Sequence, residues 1–261
     1  MIFGTKMLKK YIVIFFLIFS IFVKDGIAEG PKKIGLLIVA TGKYIQFVEP
    51  LIKSAEKHFC TNHDVTFFVF TDGKAPEGDT ILSIYQKRLG WPYDTMMRFE
   101  MYAKRKEMLC GMDYIFACDS DMLFVDEVGD EILGDRVATL HPGYLGTAGT
   151  PERRSISKAC IPYGKNKQYF CGGFYGGKAE EFLKMAEICS RNIQDDLNKS
   201  IIAAWHDESH LNRYFFDNEP TIILSPSYCY PEYPNGKKGP WINYHKKIVA
   251  LFKADVQDYR N

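Results

Sequence analysis

Two aspartates one residue apart, Asp119 and Asp121, end an apolar run in "FACDSDMLFVDEVG". In an extended segment residues i and i+2 project to the same side, so the pair offers hard carboxylate oxygens to one space. Two carboxylates do not complete the shell of Mg²⁺ or Mn²⁺, ions that take their remaining ligands from water and phosphate. The pattern therefore has two readings, a divalent metal that bridges to a phosphorylated substrate or a strand end with two solvated acids, and the spacing alone favours the second. Further along, "AAWHDESHLNRYF" sets His206, Asp207, Glu208 and His210 directly after Trp205. His206 and His210 have the i, i+4 spacing of a helical zinc pair, but Asp207 stands where the glutamate general base of H-E-x-x-H belongs, which leaves a zinc hydrolase only as an alternative. If the turn faces the metal site, it supplies a carboxylate for an anomeric carbon and an aromatic face for a sugar. Its structural alternative is a helix start with Asp207 and Glu208 at the positive end of the dipole. In "YFCGGFYGG" the glycines permit close backbone approach to a ligand or unusual dihedrals, with a plain glycine-rich turn between strands as the equal alternative. The spacing is not G-x-G-x-x-G, and no G-x-x-x-x-G-K-[ST] loop occurs, which excludes a dinucleotide fingerprint and a P-loop.

These groups need a frame, and the first half of the chain reads as one. "KIGLLIVA", residues 33–40, is a continuous apolar strand of the kind buried on both faces of a parallel sheet. "YIQFVEPLIKSAEKHF" predicts a helix with Ile45, Val48, Leu51, Ile52 and Ala55 on one stripe. "DVTFFVFTDG" is a second strand, "DTMMRFEMYAKRKEML" a helix capped by Asp94, and "DYIFACDSD" a third strand. This alternation predicts a doubly wound α/β fold, whose ligands bind beyond the carboxyl ends of the strands, where Asp119 and Asp121 lie. The second half is turn-rich around "HPGYLGTAGTPERR", then helical over about 178–192. In "TIILSPSYCYPEYPNG" a strand leaves into a proline-rich loop, and the tail is basic and aromatic.

The formal net charge of +1 is spread over dispersed charges, so there is no basic field for nucleic acid, and none is expected as a partner. The seven cysteines show no C-x-x-C pair and read as mostly buried free thiols. At the N-terminus, Lys6, Lys9 and Lys10 precede an uncharged apolar run over residues 11–23. That run is shorter than the roughly 17 to 25 residues of a full span and matches the h-region of a secretory signal. Residues 1–30 are thus expected either to remain as a short signal-anchor in a single-pass type II arrangement or to be cleaved near Ala28, releasing a secreted or periplasmic protein. Residues 31–261 form the expected catalytic domain.

In order along the chain, "VATGKY", "SAEKHF", "FFVFTDG", "MMRFEMY", "CDSDMLFVDEVG", "TLHPGYLG", "YFCGGFYGG", "WHDESHLN" and "LSPSY" resemble glycosyltransferase family 6, the group of the histo-blood group A and B transferases and the α1,3-galactosyltransferase. The resemblance implies a GT-A fold, a Rossmann-like mixed sheet flanked by helices. It also implies a UDP-sugar donor, Mn²⁺, and α1,3 transfer with retention onto a galactose-containing glycan. Carried over by position, Asp119 and Asp121 resemble the metal and diphosphate ligands, Val39 and Tyr44 the uracil contacts, and Arg98 the arginine that contacts the donor sugar. Asp207 resembles the contact to donor-sugar hydroxyls and Glu208 the carboxylate beneath the reacting carbon. His141 and Trp205 match acceptor positions, suggesting a galactose with or without fucose. Lys253 and Arg260 resemble the basic tail residues at the diphosphate, with a slightly different spacing.

In this family the bulk beside the donor's C2 selects the sugar, at positions matching Gly143, Cys171 and Gly173. Two glycines and a cysteine are expected to leave room for an acetamido group, so UDP-GalNAc is the expected donor and UDP-Gal the alternative. A membrane location follows from the resemblance, in the Golgi if the cell is eukaryotic, although barely ten residues separate the apolar run from the first strand. Many bacterial relatives carry asparagines at the paired aspartates, so this chain is expected to be metal-dependent. The further alternative is a UDP- or sugar-binding protein on the same fold that has lost catalysis.

Overall fold

The computed structural model describes residues 30–233 and 239–253. The predicted N-terminal apolar run and Arg260 lie outside these residues. Among the described residues no helix is long and apolar enough to cross a membrane.

Strand β1 (Lys33–Val39) is buried along nearly its whole length, and its alternating side chains feed two cores. Leu36 and Ile38 join Val48, Leu51, Ile52 and Ala55 of helix α1 (Val48–His58), the apolar stripe expected from the sequence. Leu37 faces the other way, into a layer with Phe99, Tyr102, Tyr175 and Phe182. The helix expected from residue 44 begins instead as a 3-10 turn, Gly42–Phe47, before α1.

Around β1 are β2 (Asp64–Thr71), β3 (Ile81–Tyr85), β4 (Tyr114–Asp119), β6 (Arg136–Thr139), β7 (Phe174–Lys178) and β8 (Ile222–Leu224), with β5 (Met122–Phe124) outside this sheet. The seven-stranded order is β3-β2-β1-β4-β7-β6-β8. The first four of these strands run parallel, and β7 is antiparallel to both β4 and β6. The result is the mixed sheet flanked by helices of a GT-A type fold. Strand β3 was not foreseen, because "ILSIY" is short and mostly exposed at the sheet edge.

Two expectations are corrected. The helix predicted across "DTMMRFEMYAKRKEML" is three short ones, α2 (Tyr93–Met96), α3 (Arg98–Ala103) and α4 (Lys106–Leu109). Met97 and Arg105 take dihedrals outside the helical well and break it. Asp94 sits inside α2, and its carboxylate accepts from the Leu89 and Gly90 N–H groups rather than capping a helix. The third strand stops at Asp119, and Ser120 and Asp121 form a turn into β5, so the two aspartates do not share one extended segment.

A smaller sheet, β5-β10-β9, is built from β9 (Tyr230–Pro231) and β10 (Ile248–Ala250) with β5. Beyond β10, Leu251 N–H donates to Asp121 O at 2.9 Å, which brings the start of the tail to the second aspartate. Helices α5 (Ala179–Leu197) and α6 (His206–Asp217) cover the far layer. Helix α5 runs past the expected end at residue 192.

The β4–β7 pairing is unusually close. Gly176 faces Phe116, and a Cβ there would lie 2.3 Å from Ile115 O and 2.4 Å from the Phe116 ring. Backbone on the other side cannot yield as a flexible side-chain tip does. Gly176→Ala is expected to destabilise the fold by about 3 kcal/mol. Denaturant titration reads this directly, and an unchanged midpoint would contradict it.

Candidate active site

The site is organised around Arg98, the first residue of α3, which the break at Met97 sets beneath the carboxyl end of β4. The residue is 8% exposed. Nη1 donates to Asp119 Oδ1 at 2.9 Å and to Gly172 O at 3.2 Å, while Nε lies 3.0 Å from Asp207 Oδ2. Burial alone would favour a neutral group, but the Asp207 and Asp119 carboxylates outweigh it and hold Arg98 charged. Burial pushes Asp207 up to about 6, with Arg98 acting against the rise and Asp119 adding to it.

Above Arg98 opens a cleft lined by Val39, Thr41, Tyr44, Trp91, Asp119, Ser120, Asp121 and Lys253. Six residues expected to meet the donor, Val39, Tyr44, Arg98, Asp119, Asp121 and Lys253, are thereby brought together. Although a turn separates them, both aspartates face this cleft. Lys253 Nζ makes an ion pair with Asp121 and lies 5.3 Å from the centroid of the Tyr44 ring. The donor set of two carboxylates facing one cleft fits a hard divalent cation such as Mn²⁺. Among the described residues no group of three or more His, Cys, Asp or Glu gathers, so such a cation would take further oxygens from substrate and water.

On the other side of Arg98, Glu208 sits partly exposed on the first turn of α6. Gly172 N–H donates to its Oε2 at 2.8 Å. Burial pushes this carboxyl up to about 7, against the pull of the Gly172 hydrogen bond. The buried Tyr169 hydroxyl stands beside Glu208 and has no well-formed hydrogen bond among the described residues. Two adjacent glycines separate the carboxylates. A Cβ on Gly172 would stand 3.6 Å from Glu208 Oε2, and one on Gly173 would stand 3.7 Å from Asp119 Oδ2.

Next to Glu208 is an aromatic shelf. Trp205 is 48% exposed, and its indole donates to Thr150 Oγ1 at 2.8 Å. Thr150 in turn bonds the Tyr144 hydroxyl, and the Tyr144 ring lies 4.7 Å from His141. His141 Nδ1 accepts from Gly143 N–H at 3.0 Å, and burial pushes its pKa down to about 4, leaving it neutral. The two expected acceptor residues, His141 and Trp205, thus belong to one connected surface.

Other expectations fare differently. Gly143 turns toward His141, since a Cβ there would meet that ring at 3.3 Å. Cys171 and Gly173 flank Gly172 at the site, but the space beside Gly173 is bounded by another side chain: a Cβ would meet Cys229 Sγ at 3.0 Å. His206 and His210 do not converge. His206 packs on Trp91 with ring centroids 4.8 Å apart, while His210 is buried with Nε2 3.7 Å from Asp196. With the two imidazoles held in separate contacts, the zinc-pair alternative loses its basis. Thr150, Tyr169 and Cys229 escaped the sequence reading. Each is a common residue type outside any spacing motif, and only folding places it here.

The chain matches the model for glycosyltransferase family 6 over residues 22–248. It is 35% identical over 228 residues to the histo-blood group ABO system transferase 1 of Rattus norvegicus, covering 82% of this chain and 64% of that protein. It is 36% identical over 214 residues to the globoside alpha-1,3-N-acetylgalactosaminyltransferase 1 of Gallus gallus, covering 76% of this chain and 62% of the relative. The O-antigen biosynthesis glycosyltransferase WbnI of Escherichia coli is 30% identical over 87% of this chain and 98% of its own length. The chain thus spans less than two thirds of the two vertebrate relatives but matches nearly all of the bacterial one. With a matching mixed sheet and this cleft at its strand ends, the chain belongs to glycosyltransferase family 6.

Proposed function

We propose that the protein is a retaining hexosyltransferase that moves GalNAc, or alternatively Gal, from a UDP-sugar onto the 3-hydroxyl of a galactose-containing glycan in a Mn²⁺-dependent reaction. One observation carries this reading: the adjacent glycines Gly172 and Gly173 bring Glu208 and Asp119 to opposite sides of a single backbone step. A diphosphate anchor and a carboxylate for the reacting carbon are then both tied to one short backbone segment. The related blood-group, globoside and O-antigen transferases support the sugar-transfer class.

In this mechanism Tyr44 and Val39 hold the uracil, and Asp119 and Asp121 hold the metal. The bound metal supplies charge stabilisation to the departing diphosphate. Lys253, now paired with Asp121, adds a second positive charge there. Arg98 keeps Asp207 and Asp119 in register, and Asp207 accepts from donor-sugar hydroxyls. Glu208 faces the anomeric carbon from below, where an ionised carboxylate either stabilises positive character or attacks to form a glycosyl ester. The shelf of Trp205, Thr150 and His141 seats the acceptor galactose, neutral His141 offering a hydrogen bond without charge. The leading apolar segment directs the domain to a membrane, and N-terminal sequencing separates a retained anchor from cleavage near Ala28.

The central experiment is a UDP-release assay across UDP-sugars and small galactosides, with and without Mn²⁺. Chelation or Asp121→Asn is expected to lower turnover about a hundredfold or more, the scale of removing one preorganised charge-stabilising group. Activity that survives chelation unchanged would remove the metal from the scheme. Tight UDP binding with no turnover for any donor would favour the inactive binding protein instead.

Glu208 also predicts a pH profile. Because the free site raises this carboxyl to about 7 and the reaction needs it ionised, kcat/KM is expected to fall as pH drops below about 7. Bound metal near Asp119 would move that limb to lower pH. Glu208→Gln should reduce kcat by more than about a hundredfold with little change in UDP affinity. A variant that keeps most of its turnover would exclude Glu208 from the chemistry.

A further inference from the structure

The free side of Gly173 faces a side-chain atom. A Cβ built on Gly173 would meet Cys229 Sγ at 3.0 Å, ahead of Asp119 Oδ2 and Met122 Cε, both at 3.7 Å. Cys229 is 8% exposed and ends the 3-10 turn Pro226–Cys229, just before β9. Its thiol lies beside that of Cys171, which is 3% exposed, and both belong to one buried core cluster. Cys171 and Gly173 come from the β7 approach, and Cys229 from a segment more than fifty residues later. The two thiols therefore form one continuous wall, and the later segment sets its depth.

We propose that Cys229 is a specificity-determining residue whose side-chain volume gauges the space beside the donor sugar's C2. This rests on the UDP-sugar reading above and adds to it. An acetamido group differs from a hydroxyl by several heavy atoms. A wall built from a side chain as small as cysteine admits that group, whereas one or two more methylenes would not. Discrimination by a methylene-sized change in a closed subsite is worth roughly tenfold to two-hundredfold. The thiol does not react in this scheme. It acts by volume, so serine, close to it in size, should behave like the native residue.

Two measurements test the proposal. The first is kcat/KM for UDP-GalNAc and UDP-Gal with one galactoside acceptor, in the native enzyme and in Cys229→Ser, Cys229→Ala and Cys229→Leu. Cys229→Leu is expected to lower the UDP-GalNAc to UDP-Gal ratio by about tenfold or more, Cys229→Ala to raise it, and Cys229→Ser to leave it near native. The ratio comes from a single preparation, so partial misfolding lowers both values and does not move it. A ratio that stays within about twofold of native in all three variants overturns the proposal, whatever the total activity.

The second measurement needs no turnover. In a thermal-unfolding cycle of Gly173→Ala, Cys229→Ala and the double variant, the alanine methyl at 173 should destabilise the native chain and be relieved when Sγ is absent. Additive effects would show that Cys229 does not bound the Gly173 space and would overturn the inference. A native enzyme inactive with every UDP-sugar would instead remove the functional reading, with the cycle still reporting on the wall.

Discussion

The buried charge cluster of Arg98 with Asp119 and Asp207 is the constraint on which the rest of the site depends. The charge of a buried arginine is tolerated only because two carboxylates and the Gly172 carbonyl satisfy it. Those partners come from three places in the chain: the end of β4, the start of α6, and the loop entering β7. Removing one member of such a buried pair typically costs roughly 3–5 kcal/mol, since the remaining charge is left without a partner. The planar fork of arginine is what allows one group to address two carboxylates at once, and a lysine ammonium lacks that geometry. The interaction thus ties the central sheet to the far helical layer at the point where the proposed chemistry occurs.

Close backbone approach is the second device. The segment from Cys171 to Gly177 reaches β4 through glycines, so that Asp119 N–H bonds Gly173 O at 2.9 Å while Gly172 N–H orients Glu208 at 2.8 Å. Side chains at Gly172 or Gly173 would stand in the space between the carboxylates. The same glycine economy continues at Gly176, where the ladder partner is the Phe116 backbone. Rigidity follows from the apolar surroundings, since the Phe116 and Phe174 rings stack at 5.5 Å beneath the site. Such packing restricts the carboxylates to the small displacements that preorganised charge stabilisation requires. The smaller sheet then delivers the tail, because the β10 pairing with β5 leads directly to Lys253 beside Asp121.

Much of this was legible in the amino-acid order. Continuous apolar runs specify β1, β2 and β4 because strands covered on both faces must be apolar throughout, and the stripe of α1 follows the helical period. The positions of Asp119 and Asp121 at the end of a central strand, and of Asp207 and Glu208 at a helix start, were readable for the same reason: local periodicity shows where an element ends. Local rules also misled. The run from Asp94 to Leu109 has the composition of one helix, but the structure breaks it at Met97 and Arg105, and the first break seats Arg98 between its carboxylates. The two aspartates share a cleft through a turn rather than through strand alternation.

What only the tertiary structure decided is the company each group keeps. Arg98 in isolation is an ordinary helical arginine, and no spacing pairs it with Asp207, which lies more than a hundred residues away. Thr150, Tyr169 and Cys229 carry no pattern at all, because their neighbours are fixed by sheet order and by the return of β9 and β10, not by near sequence. Sequence alone determined the central strands β1, β2 and β4, the stripe of α1 and which residue types are available at their ends. Folding decided which of them meet, since buried charges, a glycine backbone step and a wall of two thiols are long-range contacts whose energies exist only once the layers have packed.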